Sequence, residues 1–247
     1  YKVTLVDNVL HAQGPNNEND ATATPLTFTV RDSDGSTANG TLTVTFDDDA
    51  PTAQLAVLPG GFVHPTLSVD ETAGNQADPE DTVADRVSSA NFSGYFVTGA
   101  ANVAFGAAGA GSVTYGLSLD VANGVASGLF AVEEDADGGK GGAILLYNNN
   151  GVIEGRVGSV VYFTVAANAA TGVVTLTQAT LDGATPISIW HPNAANADDV
   201  VSLTGNGGAY QLNLTQTVTD GDGDTDTAVV NLAANNGGGN ALNFADD

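Results

Sequence analysis

Apolar and polar residues alternate in short runs along most of this chain, and helical periodicity is hard to find. Alternation with a period of two predicts strands over Lys2 to Val6, Leu26 to Val30, Gly40 to Phe46, Gly111 to Leu119 and Gly128 to Val132. The same pattern predicts strands over Ala143 to Tyr147, Val160 to Val165, Gly172 to Thr177, Ala209 to Thr215 and Thr227 to Leu232. Turn pairs separate several of them: Asp34-Gly35, Asn123-Gly124, Asn150-Gly151, Thr171-Gly172 and Asp182-Gly183. Short strands at this spacing predict an all-β fold, a sandwich of antiparallel strands joined by short turns. A short helix or turn is expected around Asn193 to Val200.

A boundary is expected at Asp47-Asp48-Asp49-Ala50-Pro51, because proline fixes φ and cannot donate to a strand ladder. Residues 1–49 hold about three strands, too few for a free-standing sandwich. They read either as the strand segment of a preceding repeat or as part of a composite domain with 50–247, the larger sandwich.

Charge changes the picture. Of 247 residues, 29 are acidic and 5 basic, a formal net charge of −24. Nucleic acid and anionic membrane surfaces both require a basic footprint, so neither is expected as a partner. So acidic a composition often marks disorder, but 42% of the residues are hydrophobic and they alternate as strands do. Cysteine is absent, so no disulfide or thiol chemistry enters. No apolar run approaches the ~18–20 residues that span a bilayer, and no signal peptide is visible. With no methionine and Tyr1 at its start, the chain reads as a piece of a longer protein.

The carboxylates are concentrated in particular places. Asp220, Asp222 and Asp224 alternate with Gly221 and Gly223 between two predicted strands, and a weaker copy carries Asp32 and Asp34 beside Gly35. Each copy runs on to a second acidic cluster, Asp47-Asp48-Asp49 in the first and Asp246-Asp247 in the second. Carboxylates this close repel, and calcium takes six to eight oxygen ligands in a forgiving geometry that loop carboxylates can meet. The candidate metal ligands are therefore Asp32, Asp34, Asp47, Asp48, Asp49, Asp70, Asp220, Asp222, Asp224 and Asp246, with Ca2+ as the ion. The Asp220 segment is not an EF-hand: Thr225 stands sixth, where glycine is required, and Asn231 twelfth, where glutamate is. The alternative is a solvated turn whose aspartates cap backbone amides. Glu133 to Lys140 reads as an exposed hairpin tip.

Trp190 follows Ile187-Ser188-Ile189 and is expected to anchor core, although an exposed indole can stack on a sugar. Catalytic signatures are missing: no histidine pair at zinc spacing, no nucleophile elbow and no phosphate loop occurs. The expectation is a protein that is not an enzyme.

Two segments carry a resemblance. Val30-Arg31-Asp32-Ser33-Asp34-Gly35-Ser36-Thr37 leads through a strand to Asp48-Asp49-Ala50-Pro51, and Val218-Thr219-Asp220 leads to Asp246-Asp247. This pattern resembles one that recurs in the RTX adhesins, giant bacterial surface proteins exported by type I secretion. The middle of the chain is similar to their repeat domain at Leu67-Ser68-Val69-Asp70-Glu71-Thr72 and, more weakly, at 173–178 and 188–192. The resemblance implies an extracellular, cell-surface fibre of immunoglobulin-like modules with calcium at loops and joints, supporting attachment and biofilm formation. It implies a monomeric extender module whose partners are neighbouring repeats, or alternatively a module that binds a glycan or protein ligand. Arg31 and Ser36 depart from the pattern, so the first site is expected to be the weaker.

Overall fold

The computed structural model describes residues 2–4, 6–7, 21–46, 49–70, 86–97, 105–106, 108–121, 123–133, 139–181, 187–193, 199–204, 212–234 and 237–246. Strands run in chain order as β1 (Ala21–Thr22), β2 (Leu26–Arg31), β3 (Thr37–Leu42), β4 (Thr45–Phe46), β5 (Leu67–Asp70) and β6 (Val87–Asn91). They continue as β7 (Ala110–Leu119), β8 (Val125–Val132), β9 (Lys140–Asn149), β10 (Val152–Val157), β11 (Val160–Ala167) and β12 (Val173–Gln178). The last four are β13 (Asp199–Ser202), β14 (Leu212–Asp220), β15 (Thr225–Asn231) and β16 (Leu242–Asp246). The fold is all-β and sandwich-like, and a 3-10 turn at Ser93–Tyr95 interrupts it. No helix among the described residues is long and apolar enough to cross a membrane.

The chain divides into two compact units. One comprises Tyr1–Ala53, Gly99–Val113 and Thr217–Thr227; the other comprises Gln54–Thr98, Thr114–Gln216 and Ala228–Asp247. Residues distant in sequence thus share a unit, where the sequence suggested one boundary between 49 and 50.

The larger unit holds a six-stranded antiparallel sheet in the order β6-β12-β11-β10-β9-β8 and a three-stranded sheet in the order β13-β16-β5. Period-two burial builds the first: Val174, Leu176 and Gln178 of β12 point inward, as do Phe163 and Val165 of β11. Phe163 meets Phe244 of β16 at 4.9 Å between ring centroids, both fully buried, so the two sheets share one apolar layer. Against the antiparallel expectation, β5 runs parallel to β16, with Leu67 beside Leu242 and Asp70 beside Ala245.

Several departures from the sequence reading have local causes. β10 escapes the pattern because Gly155 occupies an inward position with no side chain; the Phe163 ring of the paired strand lies across it and fills the gap. The strand expected at Lys2 to Val6 does not form at residues 2–4 and 6, where Val3 and Val6 are exposed. β8 begins at Val125, earlier than the alternation indicates, because its inward positions Val125, Ser127, Leu129 and Ala131 include a polar residue, and a bulge between Ala126 and Phe130 contains Gly128 at φ 88°. The buried Ser127 hydroxyl ties that bulge down, donating to the Ile144 carbonyl at 2.6 Å and accepting from the Leu129 amide at 3.0 Å. Between β9 and β10 the predicted Asn150-Gly151 turn has positive φ at both residues, 52° and 88°, as a type I′ hairpin requires. The helix or turn expected near Asn193 to Val200 falls largely outside the described residues, and Asp199 and Val200 open β13.

Candidate metal centre

β14 and β15 belong to a three-stranded sheet in the order β15-β14-β7, and the acidic loop joins the first two. The loop closes with the Asp220 amide donating to the Asp224 carbonyl at 3.0 Å. Asp220 then organises the turn with one carboxylate oxygen: Oδ1 accepts the amides of Gly223 at 3.0 Å and Asp224 at 2.8 Å. Gly223 supplies the φ of 108° that the turn needs and that other residues rarely adopt. Gly111 of β7 permits the approach of its strand, since a Cβ there would lie against the carbonyl oxygens of Thr219 and Asp220.

One carboxylate oxygen from each of Asp220, Asp222 and Asp224 lies within 4.8 Å of the others. Asp220 and Asp224 are each 3% exposed. The second oxygen of Asp220, Oδ2, is buried and accepts no hydrogen bond. A buried ionised oxygen with no donor is costly, and a cation is the natural complement. Oxygens around one calcium ion at ~2.4 Å span at most about 4.8 Å, so the three groups fit a shared ion. These three residues form a cluster that can hold a metal ion.

Asp226, two residues on, serves differently. Its Oδ2 accepts the Ala53 amide at 2.9 Å and its Oδ1 accepts the Thr227 amide at 2.8 Å. It ties the start of β15 to the segment that follows Pro51.

The loop between β2 and β3 repeats this design with fewer charges. Asp32 Oδ1 accepts amides from Asp34, Gly35 and Ser36 at 3.2, 3.1 and 2.9 Å, and the Asp32 amide donates to the Ser36 carbonyl at 3.0 Å. A hydrogen bond with Asp32, reinforced by the Ser36 amide and hydroxyl, holds the Asp34 carboxyl below the usual carboxylate range. Ser36 stands where the second loop has Asp224, so a third carboxylate is missing. The Arg31 guanidinium folds back over Gly35 and brings a cation of its own. Both departures noted in the sequence thus act on the loop that carries them.

The remaining candidates are dispersed. The half-buried Asp49 packs its carboxylate against Gly106. Asp47 and Asp48 lie outside the described residues, as do Glu71, Asp247 and the hairpin tip 134–138. Asp70 ends β5, and the backbone register sets Asp246 beside Asp199, so these three residues fall at one end of the sheet β13-β16-β5. Asp199 was not singled out in the sequence, where nothing but strand order relates it to Asp70. Its Oδ2 accepts the Asn193 amide at 3.0 Å.

Trp190 is half-buried rather than a core residue. Its ring meets Phe130 edge-on at 6.3 Å, and the Lys140 ammonium lies 3.6 Å from the Phe130 centroid and 4.8 Å from that of Trp190. With Pro192, Val201, Ser202 and Thr204 these aromatic rings line a pocket of about 230 Å³.

No curated protein and no solved structure matches this chain. The pattern of one family spans residues 66–233, more than half the length, and on that match the chain belongs to the family described as Domain of unknown function (DUF5801).

Proposed function

We propose that this protein is an extender module of a bacterial surface adhesin of the RTX type, stiffened by calcium at the loop between β14 and β15. The observation that carries the reading is the triad Asp220, Asp222 and Asp224, with Asp220 Oδ2 buried and lacking a donor. Calcium rather than a softer metal suits three hard carboxylates with no histidine or cysteine in the cluster. The Asp226 anchor to Ala53 supports a role at a joint, because it couples the strand leaving the metal loop to the segment after Pro51. In this reading the module is not an enzyme; it works outside the cell, where calcium is plentiful, and its partners are neighbouring repeats. Calcium-poor cytosol keeps it loose for type I export, and external calcium completes the fold, so that it supports attachment and biofilm formation.

At a Kd of ~10⁻⁴ M and ~10 mM calcium, one site contributes about 2.7 kcal/mol. Melting in calcium and in EGTA tests the proposal. An unchanged transition after thorough demetallation would remove its basis.

One observation favours a second reading, that of a ligand-binding module: the pocket beside Trp190 is lined by the aromatic side chains of Phe130 and Trp190. Its volume of about 230 Å³ falls below the ~300–1,000 Å³ common for small-molecule sites, which restricts it to a single small ring. Thermal shift with monosaccharides distinguishes the readings, since the extender reading expects silence.

A further inference from the structure

Asparagine followed by glycine is a chemically labile pair, because a glycine nitrogen, with no Cβ beside it, can reach the asparagine side chain. Such pairs begin at Asn39, Asn123, Asn150, Asn206 and Asn236, of which the last two lie outside the described residues. The structure treats the other three unequally.

Two are held by the six-stranded sheet. Asn150 and Gly151 form the turn between β9 and β10, and the Gly151 amide donates to Asn148 Oδ1 at 2.8 Å. The Asn123 carboxamide is clamped to the Asn148 backbone, its Oδ1 accepting the amide at 2.7 Å and its Nδ2 donating to the carbonyl at 3.5 Å. The Gly124 amide donates to the Leu146 carbonyl at 2.8 Å. β9 and β10, which carry these contacts, each have a strand on both sides.

Asn39 has the opposite surroundings. It stands exposed in β3, where its Oδ1 accepts the hydroxyl of the equally exposed Thr29 at 2.7 Å. β3 pairs with β2 alone among the described residues. Leu26, Phe28 and Val30 of β2 are 62%, 54% and 58% exposed, so the hairpin rests on no core. The matching positions before the other acidic loop, Leu214, Gln216 and Val218, are each 0% exposed. A two-stranded hairpin with a bare apolar face is marginal by itself. It opens locally at small cost, whereas the β9–β10 turn opens only with its sheet.

We infer that Asn39–Gly40 is a site of spontaneous deamidation, the fastest of these three. When the hairpin opens, the Gly40 nitrogen gives up its proton to water and attacks Cγ of Asn39. The new C–N bond closes a succinimide, and Nδ2 leaves as ammonia. Water then opens the ring at either carbonyl and leaves aspartate or isoaspartate at this position. Both products add a carboxylate to an already acidic chain. Isoaspartate also inserts a methylene into the backbone of β3, which takes the rest of that strand out of register with β2. The reaction thus keeps the hairpin from closing as it did before. The inference does not depend on calcium or on the adhesin reading.

The test incubates the full chain in mildly alkaline buffer and follows its peptides by mass spectrometry that separates aspartate from isoaspartate. Asn39 is expected to convert about a hundredfold faster than Asn123 or Asn150. In urea strong enough to unfold the chain the three rates should converge, since each pair is then equally free. Conversion at Asn39 no faster than at either other site in the folded chain overturns the inference. A lead for Asn39 that persists undiminished in urea also overturns it, because flanking sequence rather than the bare hairpin would then set the rate.

Discussion

Replacing Asp220 with asparagine separates the two tasks of its carboxylate. The amide oxygen can keep both backbone bonds, from Gly223 and Asp224, so the turn has its scaffold. The other atom changes from an anionic acceptor into an NH2 donor, which cannot ligate a cation. In saturating calcium the variant is expected to lose about 2.7 kcal/mol, or roughly 5–10 °C in melting temperature for a chain of this size. In EGTA the order inverts. Without an ion, each carboxylate pair at up to 4.8 Å repels by about 1 to 3 kcal/mol at effective dielectrics from water to the protein surface, and Asp220→Asn removes two of the three pairs. The variant is then expected to melt above the unmodified protein. Differential scanning calorimetry of both proteins in both buffers gives four numbers. If Asp220→Asn stays below the unmodified protein by the same margin with and without calcium, the carboxylate acts as a turn cap only and the metal argument fails.

Three further expectations concern the fold. Phe163→Ala removes the ring that spans Gly155 and meets Phe244, and should cost about 3–5 kcal/mol in urea titration; a loss under 1 kcal/mol would mean the two sheets do not share that layer. Asn150→Val places a β-branched residue at φ 52° in the β9–β10 turn and should cost on the order of 1–2 kcal/mol, while Asn150→Gly should be close to neutral by the same measurement. Burial pushes the Tyr95 hydroxyl up from 10.0 to about 12, and that hydroxyl sits 2.8 Å from His64 Nδ1. The folded state therefore holds this proton more tightly than the unfolded state. Its contribution is complete below pH 10 and is lost as pH rises through 12, so stability should fall across that window, and Tyr95→Phe should flatten the fall.

Local chemistry made much of this protein legible. Leu26 to Val30, Gly111 to Leu119 and Val160 to Val165 announce strands because every second side chain is apolar, and a strand needs only one face to bury. The Asn150-Gly151 and Asp34-Gly35 turns are readable because positive φ selects glycine and asparagine. The acidic triad was legible for a similar reason: alternate aspartates separated by glycines can converge within a single turn.

What remained hidden depends on residues distant in sequence. β10 is a strand because Phe163 from β11 supplies the bulk that Gly155 lacks, and no pattern within 152–157 records that. β5 lies parallel to β16, and Asp70 comes to the same sheet end as Asp199 and Asp246, through pairings that span most of the chain. Residues 99–113 and 217–227 join the first unit, a grouping that nothing within either segment announces. The sequence alone determined the all-β class, the turns and the residues able to gather a cation, since each follows from interactions within a few residues. Only the tertiary structure decided which equivalent face is buried, at Leu214 to Val218, and which is bare, at Leu26 to Val30. Burial depends on the neighbours a strand acquires, and two hairpins with the same loop design acquire different ones.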